Sequence, residues 1–188
     1  MKNFSIILTG VGGQGIITML SVLNEAAFLE GYDVKSSELH GLSQRGGSVK
    51  AHVRFGKEVF SPMVSDGYAD LIFALEATEA LRESIKAGKS TKLLVNDYFL
   101  PFDQSINKES VLNQLKSFKS ELFLVPASQV CKDKLQVEVV CTIYLLGYAS
   151  DKGMLPLKKA SLLQAIKNVI PQKYLDLNIN ALNLGYAG

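Results

Sequence analysis

The residues from Gly10 to Gly15 have the types and spacing of a phosphate-binding turn. Gly10-Val11-Gly12-Gly13-Gln14-Gly15 satisfies the pattern G-x-G-x-x-G, follows a predicted strand and opens a predicted helix. Glycines permit a tight turn, and the backbone N–H groups at the start of a helix can bind an anion. The same glycines would also let the helix pack closely on a sheet without any ligand. The motif therefore predicts either a bound nucleotide or a purely structural turn.

A dinucleotide site of this kind also needs an acidic residue at the end of the second strand, where it holds a ribose hydroxyl. Glu38 is the candidate, because it directly follows the second predicted strand, Asp33–Ser37. Together with the glycine turn it supports one interpretation of the chain, a stand-alone Rossmann-type protein that binds NAD or FAD.

The loop that follows, Glu38–Ser48, carries the other candidate side chains, which are Glu38, His40, Ser43, Gln44 and Arg45. An arginine beside glycines can present its planar fork to a phosphate or a carboxylate. A histidine can donate or accept a proton near neutral pH. We expect this loop at the carboxyl edge of the sheet, where α/β proteins bind ligands. The alternative is a solvated loop without a ligand.

Other catalytic patterns are missing from the sequence: it has no H-E-x-x-H zinc motif, no G-x-S-x-G elbow and no P-loop. Cys131 and Cys141 are too few for an iron–sulfur cluster, and their apolar surroundings predict small buried side chains. No metal site is predicted. His52 is placed on the polar face of an edge-like strand. Glu76 and Asp97 each follow a strand, a position more typical of a helix cap or a loop residue than of an acid–base group.

The elements that must position these residues alternate between strands and helices. Apolar and β-branched runs predict strands at 4–9, 33–37, 48–55, 70–75, 92–96 and 121–125. Helical periodicity predicts helices from 16 to a cap at Gly31, and at 77–87, 108–118, 138–152, 157–170 and 172–184. Gly56-Lys57 favours a tight turn that pairs strand 48–55 with 58–61 as a hairpin. The predicted fold is an α/β domain over 1–188: a single doubly wound, mainly parallel sheet with an inserted β-hairpin and a helical C-terminal portion.

Composition restricts the class of protein. The 188 residues are 47% hydrophobic and 20% charged, with a formal net charge of +2. These values are typical of a globular domain and give no indication of a nucleic-acid or membrane surface. No apolar run is long enough to span a bilayer, and no signal peptide is recognisable at the start of the chain. We therefore expect a cytoplasmic protein.

Five segments resemble the gamma-type subunit family of 2-oxoacid:ferredoxin oxidoreductases, most of all its branch that acts on arylpyruvates such as indolepyruvate. They are ILTGVGGQGI at 7–16, SSELHGLSQRGGSVKAHVRFG at 36–56, DLIFALEATEALR at 70–82, LLGYA at 145–149 and LNINALNLGY at 177–186. An LP pair at 155–156 also matches, and the segments follow the family's order over nearly the whole chain. Thr142 departs from the asparagine that relatives tend to carry.

The resemblance implies a place in a complex. Such a complex oxidatively decarboxylates a 2-oxoacid to an acyl-coenzyme A and reduces ferredoxin, with coenzyme A as co-substrate. Thiamine diphosphate and 4Fe-4S clusters belong to a large partner subunit. This chain would then be an accessory subunit that binds no cofactor alone, has no catalytic residue of its own and is inactive in isolation.

Overall fold

The computed structural model describes residues 2–41, 46–101, 106–118 and 120–188. Within them, six strands form one sheet in the order β2-β3-β1-β4-β5-β6. The strands are β1 Phe4–Val11, β2 Asp33–His40, β3 Ser48–Gly56, β4 Ala69–Ala74, β5 Ala87–Asn96 and β6 Glu121–Val125. The helices are α1 Ile16–Leu29, α2 Ala77–Glu83, α3 Lys108–Ser117, α4 Ala127–Leu135, α5 Cys141–Asp151, α6 Lys159–Val169 and α7 Gln172–Gly185, with a short 3-10 turn at Ser84–Lys86.

The sheet is mainly parallel, and β3 is its one antiparallel strand in the described part of the chain. β1, β4, β5 and β6 pair in parallel with their neighbours. β3 runs the other way and pairs with β1 on one side and β2 on the other. Because of this direction, the start of β3 lies at the sheet edge where β1 and β2 end. The loop between β2 and β3 therefore emerges beside the glycine turn.

Helices cover both faces of the sheet, as a doubly wound fold requires. Alternate residues of the central strands point to opposite layers: Ile6 and Leu8 pack against α1 and the C-terminal helices, whereas Ile7 packs against α2 and α3. All three side chains are fully buried. The predicted fold class is confirmed. No helix among the described residues is both long enough and apolar enough to cross a membrane.

The predicted hairpin is wrong in its pairing. Residues 58–61 form no strand, and β3 instead forms a hairpin with β2 across the loop that ends at Gly47. β3 is consequently an inner strand rather than an edge-like one. The short-range turn signal at Gly56-Lys57 does not decide the pairing, because β1 and β2 each pair with β3 over eight positions.

Two helix boundaries differ from the prediction, and one helix was not predicted. α2 ends at Glu83, and Gly88 belongs to β5, which begins at Ala87. α4 is an additional helix that the sequence pattern did not predict, since only Ala127, Ser128 and Cys131 of it are buried. α5 begins at Cys141 rather than at residue 138.

Two of the segments that carry the family resemblance meet where α5 packs against α7. A Cβ atom placed on Gly147 would lie 2.2 Å from the carbonyl oxygen of Leu182. A Cβ atom on Gly185 would lie 2.0 Å from the carbonyl oxygen of Tyr144. Glycine at both positions lets the two helix backbones approach each other closely, so these segments are explained by packing.

Candidate functional site

The glycine turn joins β1 to α1 at the carboxyl edge of the sheet. Gly13 and Gly15 have φ angles of +103° and +87°, in the left-handed region that side chains with a Cβ rarely adopt. Gly15 is the N-cap of α1, and its carbonyl oxygen accepts a hydrogen bond from the Met19 N–H at 3.0 Å. These two positions need glycine for the turn itself, whether or not a ligand binds.

Gln14 turns inward and fastens the turn to the end of β4. Its Oε1 accepts a hydrogen bond from the Val11 N–H at 2.8 Å, and its Nε2 donates to the carbonyl oxygen of Leu75 at 3.4 Å. Gly10 leaves room for this side chain, because a Cβ atom there would lie 2.7 Å from Gln14 Oε1. Gly10 and Gln14 therefore maintain the shape of the turn and do not line its cavity.

Asn96, at the end of β5, also donates a hydrogen bond to the carbonyl group of Leu75. Its Nδ2 donates to the carbonyl oxygen of Leu75 at 3.2 Å and to Ser128 Oγ at 2.9 Å. Its Oδ1 accepts from the Ser128 N–H at 3.1 Å. Asn96 is fully buried, so these bonds satisfy its amide. This network was not predicted from the sequence, in which the available signal was an asparagine at the end of an apolar strand.

The outer side of the turn borders a cavity of about 290 Å³. Gly12, Gly13, Gly15 and the first turn of α1 form one wall, and Glu38 and Val49 contribute from β2 and β3. In the described part of the chain, the N–H groups of Gly13, Gly15 and Ile16 make no hydrogen bond. Free N–H groups on one side and a carboxylate on the other could hold a ligand that carries both an anion and a hydroxyl group.

The structure thus brings Glu38 and three of the motif glycines to one cavity. Glu38 is exposed on β2, so its carboxylate is accessible. Backbone hydrogen bonds tie the end of the 38–48 loop to the turn: the Gly12 N–H donates to the Gly47 carbonyl oxygen at 2.8 Å, and the Gly46 N–H donates to that of Gly12 at 3.3 Å. The expected position of the loop at the carboxyl edge is confirmed at its two ends.

Of the remaining loop candidates, the structure describes His40 only in part and the others not at all. His40 is the last residue of β2, but its side chain lies outside the described residues. Ser43, Gln44 and Arg45 lie outside them altogether. Their roles stay predictions from the sequence.

Beyond the loop, β3 is fastened to α2 by buried acidic side chains. Ser48 Oγ donates to Glu79 Oε2 at 2.5 Å, and Lys50 Nζ pairs with Glu83 Oε1 at 2.9 Å. Glu79 and Glu83 are both buried, so their carboxylates need partners, and Glu79 has a second one in Arg82, whose Nη1 lies 2.7 Å from its Oε1. The pairs fix the direction in which the loop leaves the sheet.

Glu76 and Asp97, the two acidic residues that follow strands, stabilise the local structure. Glu76 is the N-cap of α2, where one carboxylate oxygen accepts from the Glu79 N–H at 2.9 Å and the other from the Leu100 N–H at 3.0 Å. Asp97 pairs with Lys108 at 2.6 Å. The prediction of a helix cap at Glu76 is confirmed.

His52 is placed differently from the prediction. It is almost fully buried, and its Nδ1 accepts a hydrogen bond from the Val64 N–H at 3.0 Å. Burial lowers the pKa of His52; the charges of Lys86 and Lys50 lower it too, while Glu83 acts in the opposite direction. His52 therefore anchors the segment after β3 to the sheet and faces away from the glycine turn.

The cysteines are buried and free. Burial raises the pKa of Cys131 to about 12 and that of Cys141 to about 11. Both remain thiols at neutral pH, which makes them poor nucleophiles and poor metal ligands. Within the described residues, no three His, Cys, Asp or Glu side chains form a group that could hold a metal ion.

Thr142, the residue that departs from the family pattern, packs against the glycine turn. Its Cγ2 and Oγ1 lie 3.4 and 3.5 Å from the position of a Cβ atom on Gly15. Its hydroxyl donates to the Val139 carbonyl oxygen at 3.4 Å. This position therefore shapes the wall behind Gly15.

Solved structures with low sequence identity share this fold. The gamma subunit of a keto/oxoacid ferredoxin oxidoreductase from Geobacter sulfurreducens matches 98% of this chain and 96% of its own, with a TM-score of 0.76 and 22% identity. The 2-oxoglutarate:ferredoxin oxidoreductase from Magnetococcus marinus matches the whole chain with a TM-score of 0.77 and 18% identity, and the match covers 31% of that longer polypeptide.

Relatives with higher identity agree with the resemblance found in the sequence. Indolepyruvate oxidoreductase subunit IorB from Thermococcus kodakarensis is 35% identical over 98% of this chain and 95% of its own length. The protein of the same name from Archaeoglobus fulgidus is 33% identical over 98% and 94%. The model of the pyruvate ferredoxin/flavodoxin oxidoreductase family matches residues 5–188. This chain is therefore a member of the pyruvate ferredoxin/flavodoxin oxidoreductase family.

Proposed function

We propose that this chain is the small accessory subunit of a 2-oxoacid:ferredoxin oxidoreductase whose substrate is an arylpyruvate, with indolepyruvate as the type. The observation that carries the proposal is the end-to-end similarity to subunits named for indolepyruvate, at 30–35% identity in four archaea. The gamma subunit shared by pyruvate and ketoisovalerate oxidoreductases in Pyrococcus furiosus is less similar, at 27%.

In this proposal the chemistry belongs to a large partner subunit. That subunit carries thiamine diphosphate, which supports decarboxylation, and 4Fe-4S clusters, which pass the electron pair to ferredoxin. The acyl group is transferred to the thiol of coenzyme A, and carbon dioxide is released. The buried thiols of Cys131 and Cys141 support this division of labour, since a cluster needs thiolate ligands. We place the complex in the cytoplasm.

In this proposal the chain contributes residues to the active site of the large partner subunit. The glycine turn and the 38–48 loop face the catalytic machinery of the partner. The free N–H groups at the start of α1 bind an anionic group, a phosphate of coenzyme A or the substrate carboxylate, and Glu38 accepts a hydrogen bond from a neighbouring hydroxyl. Arg45 engages an anionic group, which is either this coenzyme A or substrate anion or a carboxylate of the partner, and His40 and Gln44 orient that group or a neighbouring water.

A second function has one observation in its favour. Glu38 and the glycine turn line a single cavity, as a nucleotide-binding protein with a Rossmann-type turn would require. A stand-alone NAD- or FAD-binding protein is therefore the alternative.

Purification of the tagged chain from its native host separates the two functions. We expect a large brown polypeptide to co-purify, and the complex to reduce ferredoxin only with an arylpyruvate and coenzyme A present. The chain expressed alone should be colourless and inactive, and calorimetry should give Kd values for NAD(H) and FAD no lower than about 1 mM, or about −4 kcal/mol. A monomer that carries flavin or nicotinamide, or binds either at micromolar concentration, would refute the subunit role.

The site is tested in the reconstituted complex with Arg45→Ala, His40→Ala and Glu38→Gln. A charge-assisted hydrogen bond contributes about 1.5–3 kcal/mol, so Arg45→Ala should weaken turnover or the KM for coenzyme A or oxoacid by about 10- to 100-fold. Which KM rises identifies the anion. Lys57→Ala, an exposed residue beyond the far end of β3, is the matched control. If all three variants behave like the control, the loop is ordinary solvated surface.

A further inference from the structure

Glu79 is a buried acidic residue of α2 that does not line the cavity beside the glycine turn. The residue is only 4% exposed, and both oxygens of its carboxylate have partners: Oε2 accepts from Ser48 Oγ at 2.5 Å, and Oε1 pairs with Arg82 Nη1 at 2.7 Å. Its backbone N–H donates to the Glu76 carboxylate at 2.9 Å. A buried carboxylate that moved away from such partners would be left unpaired, so the fold fixes the position of Glu79.

Ser48 connects Glu79 to the glycine turn. It is the first residue of β3 and directly follows Gly47, whose carbonyl oxygen accepts a hydrogen bond from the Gly12 N–H at 2.8 Å. It also lies opposite Val11 in the pairing of β1 with β3. One hydroxyl group therefore joins α2 to the point at which the 38–48 loop meets the turn.

The end of the 38–48 loop needs such an anchor because two glycines precede Ser48. Gly46 has a φ angle of +73°, and neither Gly46 nor Gly47 has a side chain that could hold the backbone in place. Ser48 is exposed, so water could satisfy its hydroxyl group nearly as well as a carboxylate does. Its bond to Glu79 therefore determines where the loop ends and is not needed to satisfy the serine.

We propose that Glu79 is a positioning residue of the candidate site: through Ser48, it holds the end of the 38–48 loop against Gly12. The inference rests on the proposed function, in which this loop and the glycine turn bind an anionic group. Without the anchor the loop is in its binding position for only part of the time, and the apparent affinity falls with the fraction that is competent to bind. Since Glu79 acts only through the loop, its loss should raise a KM and leave kcat nearly unchanged.

Amide hydrogen exchange, followed by NMR on the full chain, tests the positioning itself. Ser48→Ala removes the hydroxyl group, and the Gly12 N–H should then exchange about 10-fold faster, which is equivalent to about 1.4 kcal/mol. Amides in the middle of β3 should be unchanged, because the strand keeps its Lys50–Glu83 pair and both of its neighbours. Ser48→Thr retains a hydroxyl group and should restore slow exchange.

Ser61→Ala is the matched control, because it removes a serine hydroxyl group from the segment beyond the far end of β3. It should leave the exchange rate of the Gly12 N–H unchanged. An unchanged Gly12 rate in Ser48→Ala, or an equal acceleration along all of β3, overturns the proposal.

Glu79→Ala tests whether Ser48 acts through this carboxylate. The Arg82 side chain is 46% exposed, so water can solvate it once Glu79 is removed. Glu79→Ala should accelerate the exchange of Gly12 as Ser48→Ala does, and the double variant should add nothing further. Additive effects would overturn the proposal. Should Glu79→Ala fail to fold, Ser48→Ala and Ser48→Thr decide the question alone.

Steady-state kinetics of the reconstituted complex test the consequence for the site. Ser48→Ala should raise the same KM that Arg45→Ala raises, by about 3-fold or more, with kcat within about 2-fold of its original value. Ser48→Thr should restore that KM. A KM that rises in Arg45→Ala but not in Ser48→Ala overturns the positioning role and leaves the proposed function intact. If Arg45→Ala changes neither KM, the proposed role of the loop fails, and the positioning role fails with it.

Discussion

The contact between α5 and α7 gives the most direct test of the fold. In Gly185→Ala the new Cβ atom would lie 2.0 Å from the Tyr144 carbonyl oxygen and 2.8 Å from the Tyr148 nitrogen. Both neighbours are backbone atoms, so no rotamer change relieves the overlap. An ordinary contact needs about 3.4 Å or more, and the two helices must therefore move apart by about 1 Å.

The change in the free energy of unfolding is the sum of two opposing effects. Overpacking a tight contact usually costs about 1–3 kcal/mol, and rigid backbone on both sides places this site near the upper end. Replacing glycine by alanine at Gly185, the last residue of α7, returns at most about 1 kcal/mol of helix propensity. We expect a net loss of about 2 kcal/mol in the free energy of unfolding. For a chain of this length that corresponds to a fall of about 4–8 °C in Tm.

Urea and thermal denaturation followed by circular dichroism measure this loss. Asn183→Ala is the matched control, because it is exposed on the same helix and should gain only about 0.5 kcal/mol from propensity. Gly147→Ala, whose new Cβ atom would lie 3.2 Å from the Gly185 Cα, should destabilise similarly, and the double variant should lose less than the sum because the two sites are adjacent. A Gly185→Ala protein as stable as the control would refute the described helix contact.

Three further predictions concern buried side chains. Burial lowers the pKa of His52 in the folded chain, so the neutral imidazole contributes its full stability above pH 6.5, and this contribution is lost as the pH falls through the lower folded value. In His52→Asn the urea midpoint should therefore vary less with pH. An unchanged pH profile would contradict this. Cys131 and Cys141 should react with a thiol reagent only as fast as the chain unfolds. Faster reaction, in the native state, would contradict their burial. Lys50→Met should cost about 1–3 kcal/mol by leaving the Glu83 carboxylate unpaired, and Lys50→Met/Glu83→Gln should recover part of it; no recovery would argue against the pair.

The sequence predicted the parallel part of the sheet because each strand there is apolar on both faces. β1, β4 and β6 show this pattern, and all three occur within one or two residues of their predicted bounds. The pattern does not encode which strands become neighbours. The alternation along β3 predicts a half-exposed strand, whereas its polar residues Lys50 and His52 have hydrogen-bond partners distant in sequence. Such partners are invisible to local periodicity.

The candidate site was also predictable only in part from local sequence. The need for glycine at positions 13 and 15 and the placement of Glu38 follow from local rules of strand, turn and helix. The inward turn of Gln14 and its support by Asn96 depend on a carbonyl group that the fold delivers from β4.

The inner position of β3 has a consequence for how the chain could be divided. The part before the β2–β3 loop contributes β1 and β2, which do not touch each other, and the part after it contributes β3, which pairs over eight positions with each of them. A cut within this loop would thus leave two interleaved pieces rather than two halves. The first piece contains no two neighbouring strands, and the second lacks the strand that lies between β3 and β4, yet together they would hold each other through two full ladders of hydrogen bonds. The β2–β3 loop is therefore a suitable place to split the protein into fragments that reassemble with each other.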